Sequence, residues 1–594
     1  MEQLSGSFLG VDCSESGKRW CFRSVDDRTC LALAQTKSLP DIFARVLAAR
    51  GVTLETVQDF LEPSLRSQLP DPSHLLDMDR AVMRVLSALE NGETIGVFGD
   101  YDVDGATSSA LLTRFFSSLG RQIEVYIPDR HKEGYGPNLK ALLKLKERGV
   151  SLVITVDCGT TAFESLAGAK EIGMDVIVLD HHVAEARLPV GALIVNPNRL
   201  DQQSEHGQLA AVGVTFLFVV ALNRALRSAY WFGEGHSEPD LRQWLDLVAL
   251  GTICDVVPLT GVNRALVTQG LKVMSKRGNE GIRALSDCAG VDRALDCYHA
   301  GFVLGPRVNA GGRVGESGLG VRLLSSIDSS EADSIARVLE NLNKERQEIE
   351  KGVFLSALEQ AEREITQNSK SLVVTGEGWH AGVIGIVAGR LRERFNLPTC
   401  VISFAEGIGK ASGRSVGGVS LGPIIISAVQ TGLLVNGGGH AMAAGFSIEL
   451  DKLTAFKEFL EERVSRELEG SGIVSELKLD GALSLSAADP ELVTILEEAG
   501  PFGSGNPRPR FAFPDLRVVK SSVVGNDHIS CILSDSGGKG RLKGVAFRAA
   551  GTGVGRALLE HRGLCLHIAG TLRKNEWQGR INPEIFIEDV AFAR

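Results

Sequence analysis

Between residues 94 and about 259, short apolar or β-branched runs alternate with stretches whose apolar residues recur at helical spacing. Residues 95–98, 152–156 and 176–179 read as strands, and 106–119 and 161–172 as the helices that follow the first two. Such βαβ repetition predicts a parallel sheet covered on both faces. In sheets of that kind ligands bind beyond the carboxyl ends of the strands, so the residues just after the three runs become the candidates for chemistry. The longest apolar stretch, 209–222, is interrupted by Thr215 and falls short of the roughly 20 residues a membrane span needs, so it reads as a buried helix.

The pattern then changes. From Glu331 to about Ile365 apolar positions return mostly at steps of three, four or seven among many Glu, Lys and Arg, predicting one long amphipathic connector helix. A coiled-coil partner helix is the alternative, although few heptads are sustained. A glycine-rich second α/β unit follows. From about Val474 the chain turns β-rich, with strands expected near 511–519, 529–533, 564–572 and 583–590, as in a small barrel. The organisation read from pattern is therefore an N-terminal segment (1–75), a parallel-sheet domain (76–328), a connector (329–368), a second α/β domain (369–470) and a β-rich domain (474–594).

Composition changes little until it is divided. The 594 residues hold 63 Lys and Arg against 73 Asp and Glu, a net charge of −10, with 44% hydrophobic and 23% charged residues. That excludes a wholly disordered or collagenous chain and, taken whole, gives no sign of a polyanion-binding protein. Residues 501–594, however, carry 14 Lys and Arg against 8 Asp and Glu. A basic β-rich module with Phe511, Phe513, Phe547 and Trp577 fits a nucleic-acid groove, although most of those rings suit a barrel core better. The N-terminus shows no basic region followed by an apolar run, and the ten cysteines form no CxxC pair, so the expectation is a reducing cytoplasm without disulfides or membrane.

The chemistry concentrates at the strand ends. The first run leads into Gly99-Asp100-Tyr101-Asp102-Val103-Asp104-Gly105, the second into Asp157-Cys158-Gly159 and the third into Asp180-His181-His182. A further acid, Asp255, ends the helix-like stretch at Thr252-Ile253-Cys254. Each element alone also fits a turn, a helix cap or a core histidine. Together they put several carboxylates at one sheet edge, where divalent cations would relieve their repulsion. Mixed carboxylate and imidazole ligands suit Mn²⁺-like ions better than Mg²⁺. Two such ions about 4 Å apart can bridge a water, lower its pKa and clamp a phosphate.

These motifs, in this order, resemble the DHH phosphoesterase superfamily. Leu304-Gly305-Pro306-Arg307-Val308-Asn309-Ala310-Gly311-Gly312-Arg313, the glycine and histidine motifs at 378–385 and 437–445, and 501–507 resemble the RecJ family of single-strand-specific exonucleases within it. The resemblance runs from about residue 36 to the C-terminus. It implies a DHH domain, a DHHA1-type domain and an OB-like barrel. It also implies a 5′-directed, single-stranded-DNA-specific exonuclease that releases 5′-mononucleotides in DNA repair and recombination. Asp102, Asp104, Asp157, His181 and Asp255 match the family's ligands for two ions, Mn²⁺ or Mg²⁺, with Asp157 bridging. His182 matches a position near the scissile phosphate, and which histidine ligates is left open. Asp100 is a further acid of the first motif. Phe98 stands where small-substrate relatives such as family II pyrophosphatases carry a metal-binding histidine, which argues against pyrophosphatase activity.

A nuclease must also hold phosphates it does not cleave. Arg307, Asn309 and Arg313 offer a set of donors suited to phosphate oxygens, and Ser412-Gly413-Arg414 combines hydroxyl, glycine and guanidinium. The resemblance carries Arg130, Arg307, Ser412 and Arg414 over to recognition of a 5′ end. Gly438 and Gly439 would let a strand approach the backbone, with His440 beside them. The family also implies a single-strand-binding protein and a RecQ-type helicase as partners; a monomer is expected. The competing readings are a DHH phosphodiesterase acting on short oligonucleotides or cyclic dinucleotides, and a non-catalytic replication scaffold.

Overall fold

The structure, a computed structural model, describes residues 6–130, 133–233, 237–366, 368–471, 475–535, 537–538, 540–560, 563–577 and 580–593. An N-terminal strand, β1 (Arg19–Phe22), precedes short helices that run to Gln68. The first sheet consists of β2 (Thr94–Gly99), β3 (Glu124–Tyr126), β4 (Val150–Val156), β5 (Asp175–Leu179) and β6 (Ala192–Val195). All are parallel, in the order β3-β2-β4-β5-β6. Strands β3 and β6 are short and lacked a clear run in the sequence.

The near-continuous apolar runs have a simple cause: both faces are buried. Ile95, Val97, Ile154, Ile177 and Leu179 point into one core, and Phe98, Val153, Val176 and Val178 into another. The first core is filled by α1 (Val103–Ser118), α2 (Ala211–Ser228) and α3 (Leu245–Cys254). Helix α2 is long and apolar enough to cross a membrane, yet 72% of it is buried in this core. After β2 the chain crosses to one side for β3 and then to the other for β4, so the order reverses between the two central strands. Gly99 pairs with Val156, and Val156 with Leu179, so these strands end level and release Asp100, Asp157 and Asp180 along one edge.

Two helices then lead out. The ten-residue α4 (Gly305–Val314) is preceded by a π-helical turn, His299–Leu304. The connector is α5 (Ser329–Glu364), whose N-cap Asp328 accepts from the amides of Ser330 and Glu331. Its 36 residues extend about 54 Å at 1.5 Å per residue. The second sheet comprises β7 (Leu372–Glu377), β8 (Thr399–Ala405), β9 (Ile408–Arg414), β10 (Asn436–Gly439) and β11 (Ala443–Glu449), in the order β10-β11-β9-β8-β7. It is flanked by α6 (Ile384–Phe395) and α7 (Leu421–Gln430).

After β12 (Glu476–Leu479) and β13 (Gly481–Ala482) come β14 (Phe511–Val524), β15 (His528–Ser534), β16 (Arg541–Ala546), β17 (Cys565–Trp577) and β18 (Arg580–Phe592). These last five close into a barrel through the β14–β17 pairing. Phe511 and Phe513 are barrel core; Phe547 is half exposed; the side chain of Trp577 lies outside the described residues. The N-terminal segment, separate in the sequence reading, is fastened to this domain. Strand β1 pairs in parallel with β12, and Phe43, Val46 and Leu47 share one core with Phe511 and Phe513. Arg23 and Arg50 both pair with the buried Asp480. The ten cysteines are all free thiols.

Candidate metal centre and phosphate cavity

The level strand ends bring the acids together. Asp102 caps α1, its Oδ1 accepting from the amides of Asp104 and Gly105 at 2.9 and 3.1 Å. The turn is tight enough that any Cβ on Gly105 would strike the backbone of Asp100. Asp104 is fully buried and accepts from the amides of Ala211 and Val212, 2.6 and 2.9 Å away, at the start of α2. Helix N-termini leave such amides free, so the fold supplies the partners that hold this carboxylate in place. Asp157 adopts φ +61°, a strained conformation for aspartate. Its amide is tied to Leu179 and its carbonyl accepts from the Tyr135 hydroxyl at 3.0 Å. Asp255 terminates α3.

His181 stands in the middle. Its Nε2 lies 3.4 Å from Asp157, 3.6 Å from Asp255 and 4.0 Å from Asp104. His182 Nδ1 lies 2.7 Å from Asp180 and 4.0 Å from Asp157. Burial would lower the His182 pKa, but its hydrogen bond to Asp180 and that carboxylate's charge win, lifting it to about 9. Asp180 is the counterpart. Burial opposes its ionisation, but His182 and Thr160 hold it well below the carboxylate range. The acids move oppositely: burial, then the charge of Asp102, raises Asp100 to about 8 and Asp255 to about 7. Burial first and neighbouring carboxylates second push Asp104 and Asp157 well up. His181 falls to about 4, through burial and then its neighbour His182.

This arrangement resists being only structural. His181 Nε2, Asp255 Oδ2 and Asp100 Oδ1 are buried without a hydrogen-bond partner among the described residues. Three sets of potential ligand atoms, Asp157/His181/His182, Asp104/His181/Asp255 and Asp100/Asp102/Asp157, each converge within 4.8 Å. Divalent cations would satisfy the orphaned atoms and remove the repulsion that keeps the acids protonated, so the residues fit the metal.

A second feature lies beside Tyr101, the residue between Asp100 and Asp102 of this cluster. A cavity of about 330 Å³ is lined by Arg130, Arg313, Ser412 and Arg414, with Lys410 at its side. Arg313 Nη1 donates to the Gly382 carbonyl at 2.9 Å, and Arg414 Nη1 to Ser412 Oγ at 3.1 Å. Arg130 stacks over Tyr101, 5.0 Å from its centroid. Burial and then the nearby Arg130 depress Arg313, to about 10, and Arg414. Crowded, desolvated cations make a ready receptor for an anion. Any Cβ on Gly385 would sit 2.9 Å from Ser412 Oγ, so that glycine keeps the cavity open.

One candidate is displaced. Arg307 does not join Arg313, because six residues along a helix turn the side chain about 240° away. It is committed to Glu340 of α5 at 2.6 Å and to the Val303 carbonyl at 2.7 Å. Asn309, half-buried one turn before Arg313, shares Arg313's side of α4. Gly438 and Gly439 form the exposed edge strand β10, next to the cavity-lining Asn436. His440 is exposed, its amide donating to Ala443. Asp180, Thr160, Tyr135 and Lys410 received no role from sequence. Asp180 could have been found: it ends a strand directly before two histidines.

Three family models match: "DHH family, N-terminal domain" over residues 94–252, "DHHA1 domain" over 368–466 and "RecJ OB domain" over 479–589. The single-stranded-DNA-specific exonuclease RecJ of Escherichia coli is 37% identical over 581 residues, covering 96% of this chain and 98% of that protein. The chain belongs to the RecJ exonuclease family. RecJ of Bacillus subtilis is 33% identical over 582 residues, 97% of this chain and 71% of its own length. Among solved structures, RecJ of Thermus thermophilus in complex with Mn²⁺ superposes with a TM-score of 0.80 at 29% identity. The match covers 96% of this chain and 79% of that one. The Mg²⁺ complex gives a TM-score of 0.74 at 27% identity, covering 96% and 78%. RecJ family proteins thus hold the ions to which the acidic cluster is suited.

Proposed function

We propose that this chain is a metal-dependent exonuclease that degrades single-stranded DNA from its 5′ end to 5′-mononucleotides, as a repair and recombination enzyme. The observation that carries the reading is the orphaned His181 Nε2 among Asp104, Asp157 and Asp255, together with a cationic cavity whose Arg130 stacks over Tyr101 of the acidic loop. Asp102, Asp104, Asp157, His181 and Asp255, with Asp100 beside them, would hold two Mn²⁺ or Mg²⁺ ions. When bound, the ions supply an acidified water and neutralise charge on the phosphate. The rest is the work of the chain. His182, kept protonated by Asp180, offers a proton donor to the phosphate oxygens. Arg130, Arg313, Ser412 and Arg414 hold the terminal 5′-phosphate, which fixes which end enters. Helix α4 connects the two: Arg313 lines the cavity, and a Cβ on Gly312 would lie 2.9 Å from the Tyr101 carbonyl, between Asp100 and Asp102. The barrel retains the remaining strand, and an SSB-type protein and a RecQ-type helicase would supply it in the cytoplasm.

Single strands labelled at either end test this directly. With Mn²⁺ the 5′ label is released first as a mononucleotide, and chelator stops release. Early loss of the 3′ label, or release that persists in chelator, overturns the proposal.

A further inference from the structure

A further cavity, of about 860 Å³, opens at the start of α3 and shares no residue with the phosphate cavity. Small-molecule sites measure roughly 300–1,000 Å³, so it is large enough for one. Its floor is formed by Trp244, Leu245, Asp246 and Asn279, all buried, and its rim by the exposed Arg66, Arg242, Lys272 and Lys276. Arg242 is spent on Asp240, which it meets through two bonds of 2.8 Å. Arg66, Lys272 and Lys276 form no ion pair among the described residues. The floor holds the opposite charge. Asp246 is 2% exposed, and among the described residues only backbone amides at the start of its own helix reach its carboxylate, that of Leu247 at 2.8 Å. Burial outweighs those amides and the charge of Arg114, lifting Asp246 to about 6. Arg114 itself is committed to the carbonyls of Leu324 and Ser326, 2.8 and 2.9 Å away.

A cationic rim above a buried acceptor selects a ligand with two unlike ends. A bare anion would use the rim and leave the carboxylate unmatched; a cation would do the reverse. A nucleoside phosphate carries both ends, a phosphate for Arg66, Lys272 and Lys276 and amino or hydroxyl donors for Asp246. Between them Leu245 and Val273 offer the apolar contact a base or sugar needs. From this complementarity we infer that the cavity is an effector site for a nucleoside phosphate, read out at the metal centre. The binding stands apart from the proposed cleavage, and only its effect rests on that reading.

Two helices connect the sites. Helix α3 begins at the cavity floor and ends at Asp255, and α1 carries Asp104 near one end and Arg114 ten residues on, about 15 Å along the axis. They are packed too closely to shift independently. A Cβ on Gly251 of α3 would strike the Thr107 hydroxyl and lie 3.0 Å from Asp104 Oδ1, and Phe115 of α1 meets Trp244 edge-on, with centroids 6.1 Å apart. From the cavity side, a Cβ on Gly270 would strike the Leu245 carbonyl. A ligand held at the start of α3 therefore bears on the two helices that set Asp104 and Asp255, because close-packed interiors transmit strain.

Titration calorimetry on the full-length Arg414→Ala protein, whose 5′-phosphate cavity is impaired, tests the binding with dAMP, ATP and inorganic phosphate at excess Mg²⁺. One nucleotide binds per chain, and phosphate alone binds at least about tenfold more weakly. The tighter of dAMP and ATP tells whether the site reads the enzyme's own kind of product or a cellular triphosphate. Adding Lys272→Glu/Lys276→Glu, both on the exposed rim, weakens the nucleotide by about tenfold or more, whereas Lys272→Arg/Lys276→Arg retains it. No stoichiometric nucleotide binding, binding that ignores the charge reversal, or phosphate that binds equally well overturns the site. An oligonucleotide that loses affinity on charge reversal while dAMP and ATP do not would assign the rim to a strand and also overturns it. For the effect, the tighter nucleotide shifts the Mn²⁺ concentration for half-maximal 5′-label release by about fivefold or more relative to Lys272→Glu/Lys276→Glu, which without nucleotide cleaves as wild type does. Equal shifts in the two proteins overturn the effector role. Wild-type enzyme that releases no 5′ label even without nucleotide would defeat the cleavage reading instead, and the titrations would still decide the site.

Discussion

Asp180→Asn isolates what the buried carboxylate contributes. Its Oδ1 accepts from the His181 amide at 2.8 Å, the His182 amide at 3.2 Å and His182 Nδ1 at 2.7 Å; its Oδ2 accepts from the Thr160 amide at 3.0 Å and hydroxyl at 2.6 Å. Asparagine has one acceptor oxygen, so its amide must face one of these groups. Facing Thr160 costs least, but it orphans a buried N–H, at about 1–3 kcal/mol. The surviving bonds also lose their charge assistance, bringing the total to about 2–4 kcal/mol. The pH dependence carries a definite sign. His182 is raised to about 9 in the fold from 6.5. Its contribution is therefore complete below pH 6.5 and lost as pH climbs through 9. Since the ring is 37% exposed, solvent screening reduces that contribution to about 1–2 kcal/mol. Denaturant unfolding at pH 6 and pH 9.5, at constant metal load, should show wild type and variant further apart at pH 6. At pH 8 kcat should fall by about 10²-fold, the usual loss for one donor to a developing oxyanion. A stability gap that ignores pH, or unchanged kcat at pH 8, would refute the role given to this pair.

Asp157→Ala should abolish cleavage while single-strand affinity by fluorescence anisotropy stays within about twofold, since the phosphate contacts lie elsewhere. Chelation should destabilise the protein most at high pH: Asp100 and Asp255 have raised pKa values, so stability from these acids is lost above about pH 4 and least at pH 8. The melting-temperature gap between Mn²⁺ and EDTA samples should therefore widen from pH 5 to pH 8. Arg414→Ala should remove the preference for a 5′-phosphorylated strand, whereas Arg307→Ala should keep that preference and cost about 1–3 kcal/mol of stability through the lost Glu340 pair. If Arg573 follows the strand's phosphates, Arg573→Ala should flatten the slope of log affinity against log salt by about 0.7.

The contrast between Arg307 and Arg313 shows where sequence reading stops. Strands buried on both faces write themselves as apolar runs, and the acids that follow them are adjacent in sequence to those runs, so the first sheet and the convergence of acids and histidines at its edge were legible. The long helix declared itself by period, and the barrel by its β-rich runs and basic excess, although β14, β17 and β18 run to 13 or 14 residues, longer than the runs suggested. What lay beyond reach were relations between distant segments. Nothing near Arg307 shows that Glu340, 33 residues on, pairs with its guanidinium at 2.6 Å, and Arg307 is not among the residues lining the cationic cavity. Likewise, nothing in the N-terminal segment shows that Phe43 and Leu47 complete the barrel's core. The second relation also changes an experiment. Removing residues 474–594 to test strand binding would strip apolar surface from the N-terminal helices and unpair β1, so a loss of affinity could come from misfolding. The basic surface of the barrel has to be tested in the intact chain, one cation at a time.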